Sequence, residues 1–208
     1  MELTWLGHAS FKLKAKGKVI FFDPFKWKLG EKADIILCSH EHFDHSNKEM
    51  IADAMADSTA VFSSKGVAAE IEGAVGMIPG QQAEHEGVIV TAVQAYNVNK
   101  RFHPKGLGVG FIVEVEGKKI YHAGDTDIIP EMSSIKCDVA LLPVSGTYVM
   151  TAKEAAMAVK AIKPNIAVPM HYGEVVGTLD DAELFKELVE KETETKVIVM
   201  RKGETIGL

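Results

Sequence analysis

The sequence predicts an α+β fold in which two sheets pack face to face with helices outside, a four-layer αββα sandwich. Two observations carry this. β-Rich runs come first and give way to strand–helix alternation, and that progression happens twice along the chain. The polar clusters also fall just after apolar strands, where helix-covered sheets hold loops rigidly at a crevice.

Strands are predicted at 3–6, 11–15 and 19–23, with a Lys16-Gly17 turn between the last two. Ile35-Ile36-Leu37-Cys38 is a short continuous apolar run, as a buried strand shows. A helix over 47–55 follows, with Met50, Ile51, Ala54 and Met55 at helical spacing. Strands return at 88–95 and 109–115, the latter pairing with 118–121 across Glu116-Gly117. The last third alternates: strand 139–144, helix 151–162, strand 166–170, helix 179–192 and a closing strand 197–200. Thr151 and Glu154 have the spacing of a capping box.

A chain of 208 residues with 47% apolar and 25% charged side chains reads as one soluble globular domain, 1–208. Its net charge of −6 argues against broad nucleic-acid or membrane binding, which needs clustered Lys and Arg. No stretch approaches the ~20 apolar residues of a bilayer span. The opening Met1-Glu2-Leu3-Thr4-Trp5 has no basic segment ahead of an apolar run, so no secretory signal is predicted and the expected compartment is cytoplasmic. Cys38 and Cys137 read as small packed residues rather than a disulfide framework.

His40, His42, Asp44 and His45 place four potential ligands within six residues, directly after a buried strand. Imidazole and carboxylate are the ligand set of zinc and its first-row neighbours. Alternate residues of an extended segment point the same way, so His40 and His42 can grip one ion together. Asp44 and His45 turn toward a second position about 3.5–4 Å away, as two-metal hydrolases require.

His-x-His-x-Asp-His resembles the signature of the metallo-β-lactamase superfamily. Asp125, in Tyr121-His122-Ala123-Gly124-Asp125-Thr126, resembles its metal-bridging aspartate, and His171, in Pro169-Met170-His171-Tyr172-Gly173, its final histidine. Trp5-Leu6-Gly7-His8-Ala9-Ser10 and Phe22-Asp23-Pro24 resemble the small lactonase-like branch that includes ascorbate phosphate lactonase. The resemblance implies a metallo-β-lactamase fold. It implies His40 and His42 on a first metal, Asp44, His45 and His171 on a second, and Asp125 bridging. Asp23 would be an outer acceptor for a ligand imidazole or a structural cap. His8 is open between a buried hydrogen-bonded histidine and a pocket residue. Where many relatives complete the first site with another histidine, this chain has Asn97, and His103 follows shortly after. His103 is expected to supply the missing imidazole or to touch substrate. Otherwise Phe102 would anchor that loop in the core and leave His103 in solvent. His122 reads as packed, and His85 as a surface histidine in a turn.

The expected chemistry is hydrolysis by one or two Zn2+ ions per chain, with Mn2+ or Fe2+ as alternatives. Two ions sharing a water would lower its pKa from 15.7 to about 7. Asp44 would bind metal and orient that water; with Asp125 it forms the catalytic carboxylate pair. No Gly-x-Ser-x-Gly elbow competes as nucleophile. Lys100, Arg101 and Lys105 flank His103 and could clamp an anion, so the substrate expected is a small anionic ester or lactone. A phosphodiesterase or nuclease, and a metal-binding protein with little turnover, are the rival readings. A homo-oligomer is compatible with all three.

Overall fold

A computed structural model describes residues 1–26 and 30–208. The first half contains β1 (Glu2–Gly7), β2 (Ser10–Ala15), β3 (Lys18–Phe22), β4 (Ile35–Cys38), α1 (Lys48–Ala54), β5 (Ala60–Ser63), α2 (Lys65–Ala68) and β6 (Val75–Gly76). The second contains β7 (Gln82–His85), β8 (Val88–Ala95), β9 (Gly108–Val115), β10 (Lys118–His122), β11 (Val139–Pro143), α3 (Ala152–Ile162), β12 (Ile166–Met170), α4 (Leu179–Glu192), β13 (Lys196–Val197) and β14 (Thr205–Gly207). Among the described residues the strands form two seven-stranded sheets, ordered β14-β1-β2-β3-β4-β5-β6 and β13-β12-β11-β10-β9-β8-β7. Each sheet is antiparallel on one side and parallel on the other, the parallel ladders running β3 to β6 and β10 to β13. The progression read twice in the sequence is thus one sheet built twice.

Period-two burial explains the continuous apolar runs. Ile35 and Leu37 of β4 face the core between the sheets, with Ile20 and Phe22 of β3. Ile36, Cys38 and Phe21 face the other way, beneath Ile51 and Ala54 of α1 and Val67 of α2. Both faces are apolar because both are covered. On the far sheet, α3 and α4 bury Ala155, Val159, Phe185 and Val189 in the main core. Thr151 and Glu154 form the predicted capping box, and Asn47 caps α1 by accepting from the Met50 amide at 3.1 Å. No described helix is long and apolar enough to cross a membrane.

Some expectations need correction. The closing strand is only Lys196–Val197, and the chain then turns to put β14 beside β1 at the edge of the first sheet. Backbone bonds from Gly203 to Trp5 and from Trp5 to Glu204 guide that return. His85 ends a strand and is half-buried; the turn is Glu86-Gly87, where both residues have positive φ. β5, β6 and β7 were not read from the sequence. His122 is packed as expected, its Nε2 donating to the Ala9 carbonyl at 2.8 Å and its ring stacked on Phe22.

Candidate metal centre

The parallel strands end together on one edge of the sandwich, and those ends deliver the predicted donors. Asp23 follows β3, and Ser39 to His45 follow β4. Asp125 follows β10, Ser145 follows β11, and His171 follows β12. The two sheets meet closely here. At Gly124 (φ +62) an added Cβ would lie 3.0 Å from both the Ser39 Cβ and the Val109 carbonyl oxygen, so glycine lets the Asp125 segment approach the histidine loop.

Three donor groups result, their ligand atoms lying within 4.8 Å of one another: His40, His42 and His103; His40, His45 and Asp125; and His8, Asp44, His45 and His171. Asp125 stands between the imidazoles. Its Oδ2 is 3.0 Å from His171 Nε2 and 3.2 Å from His103 Nε2, and its Oδ1 is 3.4 Å from His45 Nε2.

The outer nitrogens of most of these rings are engaged, which aims the inner ones at the centre. His45 Nδ1 donates to Asp23 Oδ2 at 2.7 Å. His40 Nδ1 lies 2.9 Å from Ser39 Oγ, which donates to Asp23 at 2.7 Å. His171 Nδ1 is 3.0 Å from Ser145 Oγ, and His103 Nδ1 is 3.2 Å from Asn97 Oδ1. Asp23 is therefore an outer acceptor serving two rings, one directly and one through Ser39. Ser39 and Ser145 were missed in the sequence; the one available signal was Ser39 lying next to His40 at a strand end.

His103 is buried and turned into the cluster, while Phe102 is 50% exposed, the reverse of a loop anchored by its phenylalanine. Asn97 does not offer its oxygen to a metal. Its Oδ1 accepts from the His103 amide at 2.9 Å as well as from the ring, and its Nδ2 donates to the Tyr148 carbonyl at 2.9 Å. Its amide also donates to the His103 carbonyl at 2.7 Å. Asn97 thus clasps the loop so that the histidine falls where the strand-end position cannot reach.

His8 is fully buried, with Nε2 3.0 Å from Asp44 Oδ2 and its ring 4.0 Å from that of His171. His8, Asp23 and His171 all hold left-handed backbone, with φ of 52°, 43° and 62°. Such conformations cost of order 1–3 kcal/mol each and persist where surrounding structure fixes them.

Lys100, Arg101 and Lys105 do not form a cationic clamp. Lys100 pairs with Asp127, and Lys105 pairs with Glu131 at 3.0 Å while lying over the Tyr96 ring. Arg101 is exposed. The carboxylates that neutralise this loop lie far along the chain, so local spacing could not show them.

The donor set fits divalent metal. With the outer nitrogens protonated, His40 Nε2 and His103 Nε2 present lone pairs, yet they sit 3.0 and 3.2 Å from His42 Nδ1. His42 Nδ1 can donate its one proton to only one of them, whereas an ion among the three nitrogens satisfies all. Among the described residues, His45 Nε2 and Asp125 Oδ1 are buried without a hydrogen-bond partner, a costly state that a ligated ion would remove. Burial alone would raise the Asp125 carboxyl, but His171 and His45 hold it well below the carboxylate range. Burial likewise opposes charge on His45, but Asp125, Asp23 and Asp44 outweigh it and raise that ring to about 9. Burial and His45 keep His40 well below its ordinary value.

A proton-release prediction follows. Ligation needs neutral His45 Nε2, so at pH 7 divalent metal displaces the proton that the carboxylates hold there. Titrating metal-free protein with Zn2+ in buffers of different ionisation enthalpy should show release at pH 7 that fades above pH 9. In the metal-free fold the same raised value adds stability that is complete below 6.5 and lost as pH rises through about 9.

A second prediction concerns Asp23. Asp23→Ala leaves the His45 and Ser39 donors unpaired and should weaken metal affinity ~10–100-fold. Competition with a chromophoric chelator measures this. A variant with wild-type affinity would reduce Asp23 to a turn residue.

The comparisons with known proteins agree with this geometry. A family model described as the Beta-lactamase superfamily domain matches residues 2–171. A UPF0173 metal-dependent hydrolase of Methanoregula boonei is 34% identical over 224 residues, covering 100% of this chain and 98% of its own. A crystal structure of a protein from Parabacteroides distasonis, described as a metal-dependent hydrolase, superposes with a TM-score of 0.88 at 30% identity, covering 97% of this chain and 93% of that one. A metallo hydrolase from Ignicoccus hospitalis gives a TM-score of 0.84 at 30% identity over 99% of this chain and 97% of that one. Its sheets, its strand-end cluster and these relatives agree: the chain belongs to the beta-lactamase superfamily, among the UPF0173 metal-dependent hydrolases.

Proposed function

We propose that this protein hydrolyses a small ester or lactone using a pair of divalent ions, zinc first among them. One observation carries the reading: imidazole and carboxylate donors from four strand ends or loops gather around Asp125, with outer partners for most of the rings. His40, His42 and His103 would hold one ion, Asp44, His45 and His171 the other, with Asp125 between. Bound there, such ions polarise a substrate oxygen and bring the pKa of water down to about 7.

The chain's own residues set up the rest. His8 fixes Asp44 through Oδ2; burial opposes charge on Asp44, but the His8 hydrogen bond and the nearby charge of His45 outweigh it and bring the carboxyl down to about 2. Asp44 is therefore an acceptor at every working pH, suited to orienting a water. Neither cysteine competes as nucleophile, since burial pushes both thiols up.

The test is turnover of a panel of lactones, carboxylic esters, phosphomonoesters and phosphodiesters, before and after chelation. Activity on lactones or esters should vanish with chelator and return with Zn2+ or Mn2+. Protein never exposed to chelator that contains no transition metal by elemental analysis would sink the reading.

A further inference from the structure

The donors open into a cleft of about 280 Å³ lined by His42, Phe43, Asp44, Phe102, His103, Asp125, Tyr148, His171 and Val175. Among the described residues, no lysine or arginine lines it. Phe43 is 66% exposed, Phe102 50% and Val175 38%, so large apolar side chains meet water at the mouth of a charged site. They are held, not loose. Phe102 packs edge-on against Tyr148 with ring centroids 4.6 Å apart, and Phe43 packs against buried Phe25 at 5.7 Å. Exposed apolar surface grouped around a concave site marks what that site binds.

We propose that the cleft selects substrates by an apolar substituent: an ester or lactone bearing an alkyl or aryl group, seated against Phe43, Phe102, Tyr148 and Val175. This rests on the hydrolytic reading and specifies its substrate class. A small anion would find Lys100 and Lys105 neutralised and aromatic surface where it needs hydrogen bonds. An alkyl chain finds the opposite, a wall that gains by leaving water. A second copy of this chain is the weaker occupant, because the apolar residues line a concavity that contains His103 and Asp125.

The test uses the metal-loaded protein. Among γ-lactones with alkyl substituents from methyl to hexyl, kcat/KM should climb by about fourfold per methylene until the cleft is full. Isothermal titration with straight-chain carboxylates from acetate to octanoate should show affinity rising in parallel, a readout that needs no turnover. Phe102→Ala and Phe43→Ala should flatten both series while metal content stays at the wild-type level. Flat series in the wild type, or tighter binding of succinate than of hexanoate, would overturn the proposal. So would a dimer that Phe102→Ala converts to monomer without changing the chain-length dependence. If no ester or lactone is turned over but carboxylate affinity still rises with chain length and flattens in the variants, the hydrolytic reading fails and the apolar selectivity stands.

Discussion

Asp125→Ala is expected to abolish turnover and to strip most of the metal while leaving the fold in place. The carboxylate touches the inner nitrogens of His45, His103 and His171 at 3.4, 3.2 and 3.0 Å, so both sets of donors depend on its charge. Without it, two cations would sit close together with only Asp44 to offset them. The loss should exceed the ~100-fold that an outer-shell partner is worth, because in the proposed centre a shared ligand disappears from both ions at once. The fold should survive, since Asp125 follows β10 outside the ladder and its neighbours Ala123 and Thr126 keep their own bonds to Leu141 and Tyr96. Circular dichroism should match the wild type, elemental analysis should show depleted metal, and kcat/KM should fall by more than two orders of magnitude. An active, fully loaded Asp125→Ala protein would remove Asp125 from the bridging position.

What the sequence revealed about this site follows the range of the interactions involved. The His40–His45 loop was legible because its donors are local: a strand ends, and alternate residues face one way. Asp125 and His171 have no such local pattern, and only the family resemblance singled them out. Asp23 was legible as an outer acceptor because it ends a strand beside the loop. The partners Ser39 and Ser145 are ordinary serines whose role comes from position alone. Two of the three cations around His103, Lys100 and Lys105, were misread for the same reason, since Asp127 and Glu131 reach them across the fold. The sheets show the same division. The apolar runs of β4 and β11 read clearly, whereas Gln82–His85 is polar and Thr205–Gly207 is short, and both owe their pairing to a neighbouring strand.

With the two-ion centre proposed above, His103→Ala should cost one of the ions, and comparison with Asn97→Ala separates ligation from positioning. His103 Nε2 lies 3.2 Å from His42 Nδ1, and those two rings with His40 form the first donor group. Removing the imidazole leaves His40 and His42 alone, and a pair of nitrogens without a third protein ligand binds zinc weakly. The second group, Asp44, His45 and His171, keeps every member. Metal content should therefore fall toward roughly one ion per chain, with turnover lower by more than ~100-fold if both ions act on one substrate. Asn97 works differently, since its Oδ1 accepts from the His103 amide and ring and its Nδ2 ties the clasp to Tyr148. Asn97→Ala frees the ring without deleting it, so affinity at the first site should drop ~10–100-fold and excess Zn2+ should restore turnover. Excess Zn2+ should not rescue His103→Ala to the same level, because the ligand itself is gone. Substituting Co2+ gives a readout independent of activity: its visible bands should change in His103→Ala and recover at high Co2+ in Asn97→Ala. Unchanged metal content and unchanged rate in His103→Ala would return the first site to two histidines and leave His103 a buried support for its loop.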